Sequence, residues 1–251
     1  MVSVAHGACI IKGFLKIDSY CYVFISVRTD GVMAGVGIKN QTIVYNLSVM
    51  EVYDKIANHF DHSRQRIWGS VKTFLDSLPD GARVLELGCG NGKNMLYRRD
   101  LVMEGIDISS EQVRICVGKG LRVKTGNITC VDYGASTFPY MLCIATYHHL
   151  DNDTDRAACL NEMWRVLAPG GKVLITVWAM EQPADGNFKF VARDEMVPWL
   201  SKDDGNTYMR YYHIYRVKDL EMEVQRLCPQ FGVVVCGWEL GNWYIVLQKA
   251  A

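Results

Sequence analysis

The chain predicts an α/β fold: a doubly wound, seven-stranded, mostly parallel sheet finished by an antiparallel C-terminal hairpin. Three observations carry this expectation. Arg83-Val84-Leu85-Glu86-Leu87 has the apolar pattern of a buried strand and runs into Gly88-Cys89-Gly90-Asn91-Gly92; glycines at every second position let the backbone turn sharply and approach a ligand without Cβ interference. A second short apolar strand, 102–106, ends at Asp107, about 20 residues beyond the glycines, where such sheets place an acid for a ribose diol. Three further apolar segments follow, 121–125, 141–145 and 172–178, and residues 232–239 and 243–248 alternate as a closing hairpin around Leu240-Gly241.

In chain order, residues 1–46 form an N-terminal extension of unknown role ahead of a catalytic-type domain at 47–251. Within the extension, 19–27 reads as a strand and 31–37 as a flexible connector; an added strand, a disordered leader and a mis-specified start codon are the alternatives. It lacks the layout of a secretory signal, and its two aspartates, Asp18 and Asp30, argue against a transit peptide. Tyr53, Ile56, Ala57 and Phe60 repeat at helical spacing, as do Val71, Phe74, Leu75 and Leu78, and read as core. Between them Arg64, Arg66 and Trp68 escape the periodicity, either as a solvated basic turn or as a ligand contact. Ser109-x-x-Gln112 has the form of a capping box, which is compatible with a ribose contact at Asp107. Arg165 to Ile175 closes a helix, turns on Pro169-Gly170-Gly171 and enters the fifth strand.

The chain has 251 residues and 49% hydrophobic content, enough for one core without disulfides or metals. Lys and Arg total 27 and so do Asp and Glu, so no global basic field announces nucleic acid and any RNA contact must be local. Nine cysteines include no Cys-x-x-Cys pair, and they read as reduced core residues of an intracellular protein, with no metal site. No apolar stretch is long and charge-free enough for a bilayer, so no membrane association is expected.

A dinucleotide fingerprint would need its third glycine where Lys93 stands, which disfavours NAD. Glu86-x-Gly-x-Gly-x-Gly instead resembles the first motif of the S-adenosylmethionine-dependent methyltransferases. The resemblance implies that S-adenosyl-L-methionine is the cofactor, bound by Glu86, Gly88, Cys89, Gly90, Gly92, Asp107, Ile108, Asn127, Ile128 and Ala145. Asn127 stands where that fold usually has an acid against the adenine; its amide oxygen can still accept from the adenine amino group, without charge.

A narrower resemblance rests on Val52-Tyr53-Asp54-Lys55-Ile56-Ala57-x-x-Phe60, Ser63-Arg64-x-x-x-Trp68, His148-His149-Leu150, residues 178–182, Arg210-Tyr211-Tyr212-His213-x-Tyr215 and Gly241-Asn242-Trp243. Over residues 52–249 the chain resembles the tRNA wobble-uridine carboxymethyl methyltransferases. That family implies methyl transfer to the carboxylate of 5-carboxymethyluridine in tRNA, in the cytoplasm and also the nucleus, by a heterodimer with a small zinc-binding activator protein. Residues 172–178 and their neighbours are the expected exposed apolar patch for that partner. Asn127, Pro139 before the fourth strand and the N-terminal extension depart from the family pattern.

The acceptor chemistry agrees. A carboxylate with a pKa near 4 is already an anionic nucleophile at neutral pH and needs alignment rather than a base. Amine-methylating enzymes commonly carry an Asn/Asp-Pro-Pro-aromatic turn where this chain has Ala145-Thr146-Tyr147-His148, and the only Cys-Pro pair, Cys228-Pro229, is reversed and remote from the cofactor motifs. The expected catalytic set is Arg64 and Arg210, as donors to the carboxylate or a phosphate, with His149 and His213 as hydrogen-bonding groups. Trp68, Tyr211 and Trp243 are expected to stack the base, with Asn242 beside them as a substrate contact. A methyltransferase for a small-molecule or protein carboxylate, and a non-catalytic subunit of the same fold, are the competing readings.

Overall fold

A computed structural model describes residues 10–17, 20–29, 32–39, 42–186 and 188–251, with side-chain packing from Leu47 onward. Strands β1 (Ile10–Ile17), β2 (Tyr20–Thr29), β3 (Val32–Lys39) and β4 (Thr42–Asn46) form an antiparallel meander. The expected connector at 31–37 is corrected by β3, whose ladders to β2 and β4 hold Val32–Lys39 extended despite its glycines. Gly31, and Ser19 at the head of the expected first strand, lie outside the described residues.

Helix α1 (Val49–Ser63) opens with a reciprocal capping box between Ser48 and Glu51, and buries Val52, Ile56 and Ala57. Helix α2 (Gly69–Asp76) buries Val71, Phe74 and Leu75 before the turn into β5 (Arg83–Leu87). Then come β6 (Val102–Asp107), α3 (Ser110–Gly118), β7 (Arg122–Thr125), β8 (Phe138–Ile144), α4 (Asp153–Val166) and β9 (Leu167–Trp178). The chain finishes with β10 (Asp194–Leu200), β11 (Thr207–His213), α5 (Asp219–Leu227), β12 (Gly232–Glu239) and β13 (Asn242–Gln248).

Seven strands make the main sheet in the order β12-β13-β9-β8-β5-β6-β7. The five from β9 to β7 are parallel, and β13 runs antiparallel to β9 and β12. Both faces are covered, as strand alternation requires. Val84 packs with Val71, Phe74 and Leu75 of α2 on one side, while Leu85 and Leu87 meet Leu160 and Met163 of α4 on the other. From β5 the chain moves outward to β6 and β7, then returns to β8 on the opposite flank of β5. This reversal opens a crevice at the carboxyl ends of β5 and β8.

A second sheet, β1-β2-β3-β4-β11-β10, joins the meander to a hairpin not expected from the sequence, with β4 parallel to β11. The expected apolar patch at 172–178 is also corrected. Strand β9 lies between β13 and β8 with Val173, Leu174, Ile175 and Val177 buried, whereas exposed apolar side chains gather on the edge strand β12, at Val233, Val234, Val235 and Trp238. No helix among the described residues is long and apolar enough to cross a membrane.

Candidate active site

A cavity of about 800 Å³ occupies the crevice, between the carboxyl ends of the central strands and α1. At one end lies the glycine turn. Gly88, Gly90 and Gly92 all have positive φ, at 69°, 52° and 73°. A Cβ on Gly88 would stand 2.2 Å from the Thr146 side chain, so the turn tolerates only glycine there. The carbonyl of Ile106 accepts from the amides of Gly88 and Cys89, and Asp107 Oδ2 accepts from the Gly90 amide at 2.8 Å. Asp107 therefore orients the turn.

Asp107 is the last residue of β6, lines the cavity and takes the Ser109 amide on Oδ1 at 2.9 Å. Burial raises its pKa, against those two backbone bonds. Ser109 also caps α3 by accepting from the Gln112 amide and donates to Asp54 of α1 at 2.7 Å, so capping and the placement of Asp107 coexist. Glu86 is buried; its Oε1 accepts from Asn94 Nδ2 at 2.6 Å, while Glu86 Oε2 and Asn94 Oδ1 have no protein partner. Burial pushes Glu86 up to about 7, although Asn94 and Lys93 pull the other way. Cys89, Ile108, Asn127, Ile128 and Ala145 complete this end. Asn127 Oδ1 already accepts from the amide and hydroxyl of Thr129, both at 2.9 Å, so its expected contact with an adenine amino group is corrected: the oxygen's lone pairs are spent within the loop. Gly92 lies off the cavity, where a Cβ would strike Leu121; its place is in packing the loop.

The other end is cationic and aromatic. Arg210, on the floor and 4% exposed, stands 4.8 Å from the Trp199 ring centre, and Arg64 at the mouth stands 5.0 Å from the same ring. Arg210 donates to the Tyr212 hydroxyl at 2.6 Å, while its Nε has no partner. Burial and then the Arg210 charge lower the Arg64 pKa from its usual value. Among the described residues neither guanidinium is paired with a carboxylate, and the cavity's own acids, Glu86, Asp107 and Asp155, form no ion pair with either.

His149 lines the cavity, but both ring nitrogens are committed: Nδ1 donates to the Tyr211 carbonyl at 2.7 Å, so Nε2 accepts from the Tyr53 hydroxyl at 2.9 Å. Burial holds it down at about 4 and therefore neutral. It shapes the wall and has no proton to give an acceptor, a correction to its expected role. His213, Tyr211 and Trp243 are corrected too: none lines the cavity. Successive side chains of a strand point to opposite faces. Arg210 and Tyr212 of β11 therefore face the cavity, while Tyr211 and His213 face away and both bond Asp194. Asn242 lines the cavity, and its neighbour Trp243 turns away to donate to Glu181 at 2.9 Å. Trp68 does line the wall, with Lys93 above its ring.

Residues not assigned from the sequence include Tyr53 and Phe60, read there as core, and Trp178 and Tyr212, which stack at 4.1 Å and 11° and also line the cavity. Counting in steps of two from Arg210 would have found Tyr212.

The family described as Methyltransferase domain matches residues 84–171. The tRNA (carboxymethyluridine(34)-5-O)-methyltransferase of Schizosaccharomyces pombe is 32% identical over 224 residues, covering 81% of this chain and 97% of that protein. The protein called alkbh8 in Xenopus tropicalis, of the same description, is 30% identical over 80% of this chain and 40% of its own length. Among solved structures, the complex of the Haloferax volcanii Trm112 methyltransferase activator with a methyltransferase matches with a TM-score of 0.61 at 16% identity, covering 81% of this chain and 98% of that one, a likeness of fold. With the glycine turn, the acid that ends β6 and the two arginines in one cavity, this similarity along nearly the whole of the fission-yeast protein places the chain in the tRNA (carboxymethyluridine(34)-5-O)-methyltransferase family.

Proposed function

We propose that this chain methylates the carboxylate of 5-carboxymethyluridine at the wobble position of tRNA, using S-adenosylmethionine, to give the methyl ester. The observation that carries this is the pair Arg64 and Arg210, which line the cavity, flank the buried Trp199 ring and form no ion pair with a protein carboxylate. Guanidinium forks match a carboxylate, and two of them select an anionic acceptor over an uncharged one.

The residues present fit the cofactor. Buried Glu86 Oε2 and Asn94 Oδ1 are acceptors without protein partners, as an ammonium group requires. Asp107 has lone pairs left for a ribose diol after accepting from Gly90 and Ser109. Ile108 and Ile128 offer apolar surface to a purine. When bound, the cofactor supplies an electrophilic methyl group on a sulfonium. The chain's part is orientation and exclusion of water: the arginines hold the carboxylate, which is ionised at neutral pH, and the aromatic wall dries the site. No general base is needed, and His149, neutral and bonded at both nitrogens, does not offer one.

Family membership supports a tRNA substrate and a heterodimer with a small zinc-binding activator, working where tRNA is found, in the cytoplasm and nucleus. The test is methyl transfer to an anticodon stem-loop carrying 5-carboxymethyluridine, with and without the activator, read by mass spectrometry of the nucleosides. Methyl ester formation is expected. Its absence under both conditions, alongside measurable cofactor binding, would overturn the assignment.

A further inference from the structure

Two buried polar atoms in the cavity wall are answered by nothing in the protein and play no part in the carboxylate clamp. His148 is fully buried, and its Nδ1 accepts from the Trp178 amide at 3.0 Å. That bond leaves the ring proton on Nε2, which has no partner. Burial, reinforced by His149 and Arg210 and only partly offset by the nearby Ala145 carbonyl, holds its pKa well below the usual histidine value, so the ring stays neutral and keeps one donor. Asn242 is 7% exposed; its Nδ2 faces the carbonyls of Glu239 and Leu240 at 3.3 and 3.1 Å, which fixes the amide orientation and leaves Oδ1 as an unanswered acceptor.

Both are tied to Trp178. Asn242 is the cross-strand partner of Trp178 in the β13–β9 ladder, and Trp178 is the residue whose amide holds His148. All three line the cavity. A donor and an acceptor in one cavity wall, both desolvated and both held by backbone through or beside Trp178, suit a ligand edge that carries an acceptor next to a donor. A buried polar group left unanswered costs free energy, so such a pair discriminates sharply for the ligand that satisfies both.

We propose that His148 Nε2–H and Asn242 Oδ1 read the imide edge of the target uracil, Asn242 accepting from N3–H and His148 donating to one of the flanking carbonyl oxygens. This rests on the function proposed above and adds the base-reading residues to it: the arginines select the charge at the tip of the C5 substituent, and this pair selects the ring that carries it.

The experiment uses the chain with its activator and two anticodon stem-loops, one bearing 5-carboxymethyluridine and one bearing the same base methylated at N3. The wild-type protein is expected to use the N3-methylated RNA with kcat/KM lower by about tenfold or more, since it loses the hydrogen bond and leaves Asn242 unanswered. Asn242→Ala is expected to lose activity on the parent RNA but to lose the discrimination as well, because the two changes remove the same contact. Among substitutions at His148, Gln, which keeps an N–H donor, is expected to retain more activity than Leu. Cofactor titration reports whether each variant is folded, and the wild-type comparison needs no variant. Equal use of the two RNAs by the wild-type protein, or discrimination unchanged in a folded Asn242→Ala, overturns the base-reading pair while leaving the methyl transfer intact. Failure on the parent RNA refutes the function itself.

Discussion

Replacing Glu86 by Gln isolates the cost of a buried charge at the cofactor end of the cavity. Burial raises this carboxyl from 4.5 to about 7. The folded protein therefore binds the proton more tightly than the unfolded chain between those values, and stability must fall as pH rises through that window. At about 1.4 kcal/mol per unit, the 2.5 units from 4.5 to 7 amount to about 3.5 kcal/mol of stability, fully present below pH 4.5 and lost by pH 8. Glutamine keeps the shape and the acceptor for Asn94 Nδ2 but cannot ionise. Glu86→Gln should thus approach the wild-type stability at pH 5 and exceed it by up to about 3.5 kcal/mol at pH 8. Urea unfolding followed by tryptophan fluorescence across that range gives both curves. Subtracting them cancels His148 and His149, whose lowered pKa values cost stability in the opposite direction, as pH falls. Parallel curves would show that Glu86 is not held protonated by its surroundings, and the reasoning from burial would fail.

Three further outcomes follow from the same geometry. Because an ionised Glu86 is the partner offered to the cofactor's ammonium, S-adenosylmethionine affinity should weaken by about tenfold per pH unit below 7, measured by calorimetry; a flat profile would separate Glu86 from the ligand. Arg210→Met should lower kcat/KM for the RNA by about 10- to 100-fold, the value of a charge-assisted hydrogen bond, without changing cofactor affinity, whereas kcat at saturation should stay flat from pH 6.5 to 9 in the wild type, since a rising limb near neutrality would reveal a base. Gly170→Ala, with φ at 74° and open space around it, should cost about 1 kcal/mol of unfolding free energy, and Gly88→Ala, with a similar φ and Thr146 at 2.2 Å, distinctly more, together with lost cofactor binding; equal costs would mean that Thr146 yields freely.

The main sheet could be read along the chain because its signals are local. The strands at 83–87 and 102–106, the glycine turn and the closing hairpin each lie within a short window of sequence, and β5, β6, β12 and β13 follow those windows to within a residue. The hairpin of β10 and β11 escaped: β10 carries Pro198 and charged residues at its start, and β11 is aromatic enough to be taken for a motif alone. Its partner β4 lies far away in sequence, so no local pattern announces the pairing.

Sequence alone was sufficient for the main sheet, for the glycine turn with Asp107 and for the two arginines that line the cavity, because periodicity, turn chemistry and residue type are properties of neighbours along the chain. The direction in which each side chain looks is not. Arg210 faces the cavity and Tyr211 does not, Asn242 faces it and Trp243 does not, and His149 spends both nitrogens on Tyr53 and Tyr211. Those outcomes depend on which face of a strand the rest of the molecule covers, and on contacts such as Arg64 with Trp199 that exist only once distant segments have packed together.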